Sequence, residues 1–220
     1  MRHCVDGGVV GQGGVTAGVT CYVAQVSELP KDWGRFVCLV PRRYREKACG
    51  KAPLKARQGA LVAGLMLRHV LVVTSDDDLM VGEQGKLSLA QGKPCFCLSH
   101  ADGVVVLGVS AYEVGVDVER IPESYGRAQR DALRYVLSED QLAVVDRADD
   151  PALAFVCAWT GVEAVLKADG CGLAYPVRGG HLPEGWQVCF REYGGYGISC
   201  ATRGVSDICL ERVDVTQLTG

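Results

Sequence analysis

GVDVE, at Gly115–Glu119, and WTGVEAVLKADGCGL, at Trp159–Leu173, are the two stretches on which the fold turns. The first alternates aliphatic and acidic residues with the two-residue period of a strand, so Val116 and Val118 share one face and Asp117 and Glu119 the other. The second has helical spacing. Phe155, Trp159, Val162 and Leu166 fall along one stripe, and Glu163 and Lys167 are neighbours one turn apart. Asp149-Asp150-Pro151 supplies an N-cap and a first-turn proline for this helix, which ends near Asp169 at Gly170.

Working outward, the segment Tyr125–Leu137 is helical in pattern, and Ser138-Glu-Asp-Gln141 resembles a capping box opening a short helix through about Arg147. Beyond the long helix the spacing predicts three strands, Gln187–Tyr193, Tyr196–Thr202 and Ile208–Val213, with Gly194-Gly195 as a hairpin turn. Upstream, Val104–Val109 is continuously apolar, as in a strand covered on both faces. Cys95–Leu98 is a short strand ending at Ser99-His100, after the turn Gly92-Lys93-Pro94. Thr20–Val26 and Arg35–Val40 read as strands, and Asp76-Asp77-Asp78 as a turn. The basic run Pro41–Arg57 carries Arg42, Arg43, Arg45, Lys47, Lys51, Lys55 and Arg57 against Glu46 alone. It leads into a helical stretch, Ala60–Val73, for which Pro53 suits a first turn. The run is either a solvated helix face or a grip for a ligand with several phosphates. Residues 1–19 form a glycine-rich strand with flexible flanks. Gly11 and Gly13 fit a dinucleotide loop, but Thr16 stands where its third glycine belongs.

With 48% hydrophobic and 22% charged residues over 220 positions, the chain can bury a sizeable core, as one large domain or two similar lobes. A formal net charge of −3 argues against a general nucleic-acid binder. No run approaches the ~18 apolar residues that span a bilayer, and the first ten residues lack a signal peptide's apolar core, so a cytoplasmic location without membrane contact is expected. Eleven cysteines without a CxxC pair read as free thiols acting as small core hydrophobes.

Two carboxylates on one strand face and a third on a helix are costly to bury together unless a cation neutralises them. Oxygen donors without histidine or thiolate select a hard ion, magnesium before calcium or zinc. Lys167, one turn from Glu163, could then meet phosphate charge. The plainer reading stays open: D-x-E on an exposed strand and a Glu/Lys pair on a helix are common surface patterns.

These segments, in this order, resemble the 4'-phosphopantetheinyl transferases, in particular the longer monomeric type acting on peptide and polyketide synthase carrier proteins. The resemblance rests on Gly115–Glu119, on Trp159, Glu163, Ala164 and Lys167 followed by Gly170 and Gly172-Leu173, on Gly92-Lys93-Pro94 and on Ser99-His100. It spans roughly Pro41 to Leu173. It implies an α+β fold of two similar lobes in pseudo-two-fold arrangement, 1–112 and 113–220, with coenzyme A between them. The first lobe would contact the phosphates and adenine of coenzyme A, and the second would hold the metal and catalytic residues. The implied reaction is Mg2+-dependent transfer of phosphopantetheine to a serine of an apo acyl or peptidyl carrier protein, releasing adenosine 3',5'-bisphosphate. Asp117, Glu119 and Glu163 would hold the ion, Glu163 would take the serine proton, and Lys167 would support the diphosphate. Arg43, Lys47, Arg57, Lys93, Pro94, Ser99, His100 and Lys167 would bind coenzyme A, with Arg57 the candidate for its 3'-phosphate. Two positions depart from the family pattern: Val162 replaces the lysine usual before the helix glutamate, and Ala101-Asp102 follows Ser-His. A coenzyme A- or carrier-binding protein of the same fold with weak or no catalysis is the alternative.

Overall fold

One strand–helix–strand–strand unit occurs twice along the chain. In the first, β1 (Val19–Gln25) is followed by α1 (Arg42–Cys49), α2 (Leu54–Leu71), a small hairpin of β2 (Leu79–Val81) and β3 (Leu87–Leu89), then β4 (Cys95–Ala101) and β5 (Val104–Ser110). In the second, β6 (Val114–Arg120) is followed by α3 (Arg127–Arg134), α4 (Glu139–Asp146), the long helix α5 (Pro151–Asp169), then β7 (Gln187–Tyr193) and β8 (Tyr196–Thr202). The last strand of each unit sits between the other two, in the orders β4-β5-β1 and β7-β8-β6, with every neighbour antiparallel. The chain is therefore α+β, built from two similar lobes. A final strand, β9 (Ile208–Val213), leaves its own unit and pairs parallel with β1. The structure is a computed structural model describing residues 18–171, 177, 181–203 and 207–219. The glycine-rich reading of positions 1–17, Cys4 within it and the Gly172-Leu173 part of the family motif lie outside the described residues.

The layers follow from alternation along the strands. Ala24, Phe96, Val105 and Leu107 face α2, where Leu61, Leu65 and Met66 are fully buried. Each such side chain contributes roughly 1.5–3 kcal/mol of burial. The opposite face of the first sheet, with Cys21, Val23 and Val106, meets Val116, Val118, Ile198 and Cys200 of the second. Helix α5 covers the far side of the second sheet, laying Ala164, Val165 and Ala168 against Ala201. The order is helix, sheet, sheet, helix. Edge strands β4 and β6 come together along one seam between the sheets.

Local signals act as their chemistry requires. Ser138 Oγ accepts from the Gln141 N–H while Gln141 Oε1 accepts from the Ser138 N–H, closing the box at α4. Asp150 Oδ1 accepts from the Leu153 N–H ahead of Pro151, and Gly170 ends α5 at φ +82°.

Four expectations need correction. Arg35–Val40 is not a strand but part of a 3-10 helix, Trp33–Leu39. Its buried residues Phe36 and Val37, with Trp33 and Val40 beside them, follow i, i+3, i+4, i+7 spacing, which outweighs the β-forming composition. The basic run folds as its own amphipathic helix, α1, burying Tyr44 and Ala48, and α2 begins six residues before Ala60, after Pro53. Of the ten described cysteines, only Cys21, Cys97 and Cys200 are buried, whereas Cys38, Cys49, Cys157 and Cys209 are exposed. By length and mean hydropathy, 1.3, α5 is apolar enough to cross a bilayer, closer to a span than the sequence reading allows, but its small-residue face lies against the second sheet.

Candidate active site

Strand β6 turns Val116 and Val118 into the space between the sheets and leaves Gly115, Asp117 and Glu119 on the α5 side. Gly115 sets the approach. A Cβ there would stand 2.0 Å from the Ala164 carbonyl oxygen and 2.3 Å from the Ala168 nitrogen, so the helix backbone rests directly on the strand. Thr160 and Ser199 fasten the same contact, their hydroxyls 2.7 Å apart, with Thr160 donating to the Val156 carbonyl.

This closeness carries Lys167 onto Asp117. Its Nζ lies 2.5 Å from Asp117 Oδ1 and 3.0 Å from Ser99 Oγ, and Ser99 Oγ donates to the same Oδ1 at 2.8 Å. Asp117 is only 4% exposed. Its second oxygen, Oδ2, is buried and has no hydrogen-bond partner among the described residues. Glu119 and Glu163 are half-buried beside it. Burial holds the carboxyls of both above the usual range, and the charge of Asp117 pushes them further up, partly offset by Lys167. Glu163 raises Glu119 as well. Three carboxylates thus share one electrostatic field with a single ammonium.

A hard divalent ion fits the chemistry of this donor set. The donors are all oxygen, the field is under-neutralised, and Oδ2 of Asp117 is a buried acceptor left bare, a condition that costs about 1–3 kcal/mol or more. Among the described residues no three acidic, histidine or cysteine side chains already converge as a ligand shell, so the remaining places would fall to substrate oxygens and water.

Beside the acids opens a cavity of about 610 Å³ between α1, α2, β4 and the C-terminal end of α5. Ala52, Ala56, Ala60, Phe96, Leu98 and Leu166 give it an apolar floor, while Lys47, Lys51, Lys86, His100 and Lys167 bring basic groups. No aspartate or glutamate lines it among the described residues. Alternation along β4 divides the Ser-His pair, with Ser99 turned to Asp117 and His100 to the cavity.

Of the residues expected to bind coenzyme A, the structure gathers Lys47, His100 and Lys167 around this cavity. The others are not in its lining. Arg57 donates through Nε to the Ala48 carbonyl at 2.7 Å and stacks 5.5 Å from the centre of the Trp33 ring. Lys93 donates to the Ala111 carbonyl and, at 3.4 Å, to Cys95 Sγ; Pro94 follows it in a cis peptide. Arg43 uses its backbone N–H on Asp76 Oδ1. Sequence reasoning gave Lys51 a role only as part of the basic run, and Lys86 none. Lys51 sits in the basic run that signalled a polyanion, but Lys86, whose Nζ also donates to the Ala168 carbonyl, carries no sequence cue.

Val162, where the resemblance leads one to expect lysine, is 5% exposed and packs with Leu166 and Val177, bordered by Val136, Leu137 and Leu182. It belongs to the outer apolar side of α5.

Residues 113–214 match the family model described as the 4'-phosphopantetheinyl transferase superfamily. Two similar proteins, from Salmonella typhimurium and Salmonella typhi, are both named 4'-phosphopantetheinyl transferase AcpT. Each is 32% identical over 147 residues, covering 66% of this chain and 75% of the relative.

Proposed function

The chain belongs to the 4'-phosphopantetheinyl transferase superfamily, whose members carry the phosphopantetheine arm of coenzyme A to carrier proteins, and we propose that it does so by a Mg2+-dependent attack of a carrier serine. One observation carries the reading: Lys167 both lines the basic cavity and bonds the buried Asp117, so a diphosphate in the cavity would lie beside the acids. The ion, held by Asp117, Glu119 and Glu163, would orient the diphosphate and offset charge developing on it.

The chain's own groups divide the remaining work. Lys47, Lys51 and His100 draw the phosphates of coenzyme A into a cleft lined by no carboxylate among the described residues, and the apolar floor accepts its uncharged parts. Residues 1–112 thereby supply the coenzyme A contacts and 113–220 the acids. Glu163, half-buried beside Asp117, takes the serine proton, directly or through a water. The serine oxygen then bonds to the phosphorus bearing the pantetheine arm. The bond to the bridging oxygen breaks, and adenosine 3',5'-bisphosphate leaves with that electron pair. Lys167 meets the charge left on the diphosphate oxygens. The partner is an apo acyl or peptidyl carrier protein, of the peptide or polyketide synthase kind, and the enzyme works as a cytoplasmic monomer.

Incubating the chain with coenzyme A, Mg2+ and an apo carrier, then weighing the carrier, tests this. A mass gain of one phosphopantetheine arm is expected, lost in Asp117→Ala and Glu163→Ala while circular dichroism stays that of the parent. Coenzyme A binding without any gain would instead favour a binding protein of the same fold, and full activity in either variant would remove the metal assignment.

A further inference from the structure

Ser99, expected to bind coenzyme A, turns toward the acid cluster. It is 6% exposed, lies outside the cavity lining, and touches only the acid cluster among the site residues. Because its oxygen accepts from Lys167 at 3.0 Å, its own proton is free for Asp117, and the three groups form a closed triangle. Two donors therefore occupy Oδ1. Oδ2 of the same carboxylate is buried and has none among the described residues.

We infer that Ser99 is a positioning residue: its hydroxyl fixes the Asp117 carboxylate so that Oδ2 is the oxygen presented to a divalent ion, an inference that rests on the transferase reading above. Lys167 alone could not hold this orientation. An ammonium attracts both oxygens of a carboxylate equally, and without the hydroxyl Asp117 can swing to share both with Lys167. A second donor on Oδ1, fixed in strand β4 opposite Val106, removes that freedom. Outer groups that orient a metal ligand typically govern affinity for the ion by about 10–100-fold. Direct contact between Ser99 and a substrate phosphate would require it to leave Asp117, since no cavity surface reaches it.

The test is Mn2+ binding to the whole chain without coenzyme A, followed by electron paramagnetic resonance. Coenzyme A binding is measured separately in chelator by calorimetry. Ser99→Ala is expected to weaken Mn2+ by about tenfold or more, leave coenzyme A binding in chelator unchanged, and be rescued by Ser99→Thr, which restores the hydroxyl. Should the alanine variant not fold, Ser99→Cys keeps the volume with a poor donor and is expected to lose Mn2+ affinity likewise. Undiminished Mn2+ affinity in the folded alanine or cysteine variant would overturn the positioning role alone. Loss of coenzyme A binding in chelator with Mn2+ affinity intact would also overturn it, making Ser99 a substrate contact. A parent chain binding neither Mn2+ nor coenzyme A would sink the transferase reading, and this inference with it.

Discussion

Gly115→Ala is the most direct probe of the site, because it adds one methyl group where the strand and helix touch. The new carbon would stand 2.0 Å from the Ala164 oxygen and 2.8 Å from the Ala168 Cα, where ordinary contact begins at 3.4 Å. Both obstacles are helix backbone, so no side chain can turn aside, and α5 must lift by about 1.4 Å, the gap between 2.0 and 3.4 Å. The 2.5 Å contact between Lys167 and Asp117 then opens beyond hydrogen-bond range. Overpacking of this kind costs about 3 kcal/mol or more, which for a chain of this size lowers Tm by roughly 6–12 °C. A shift of about 1 Å in positioned groups lowers transfer by about a hundredfold. Thermal melting by circular dichroism reads the first effect and carrier-mass kinetics the second. An alanine variant with parental Tm and parental transfer would refute the claim that helix backbone sits on Gly115.

Val162→Lys, although it restores the residue common in the family, places a charge in an apolar cluster and is expected to lower Tm by roughly 5–10 °C; a parental Tm would mean the position reaches solvent or the acids. Lys51→Ala and Lys86→Ala are each expected to weaken coenzyme A binding by roughly fivefold, with the deficit shrinking in high salt. Calorimetry of the double variant checks this, and parental affinity would move the ligand elsewhere. Tyr44 lines the same cavity, and its phenol is pushed up to about 12, mainly by burial. An unfolded tyrosine ionises near 10.0, so between these values the native state holds more protons and stability falls as pH rises. The loss totals roughly 3 kcal/mol above pH 12. Tyr44→Phe should flatten that decline in alkaline denaturant titrations, and an unchanged slope would contradict it.

The strand face and the helix ends around the candidate site could be read from spacing alone. The period-two alternation at Gly115–Glu119 fixed which face carries the acids, and the caps at Ser138, Asp150 and Gly170 marked the helices within a residue or two. These signals are local and depend only on backbone geometry. What escaped was decided by distant neighbours. Whether Ser99 faces a ligand or Asp117 depends on β4 meeting β6 along a seam, and Lys86 reaches the cavity only because a short hairpin, β2–β3, brings it to the end of α5. Arg57 shows the same dependence: its Nε is held by the Ala48 carbonyl and its guanidinium stacks on Trp33, which belongs to an unanticipated 3-10 helix.

Strand β9 has a consequence for how the molecule is made. Because it lies parallel to β1 at the far edge of the first sheet, a ribosome must deliver more than two hundred residues before that edge finds its neighbour. Until then β1 exposes a row of unpaired amides and carbonyls, open to the strands of other nascent chains. A protein cut between its two halves would inherit that exposed border permanently, so the halves, though alike in plan, should be soluble only when produced together.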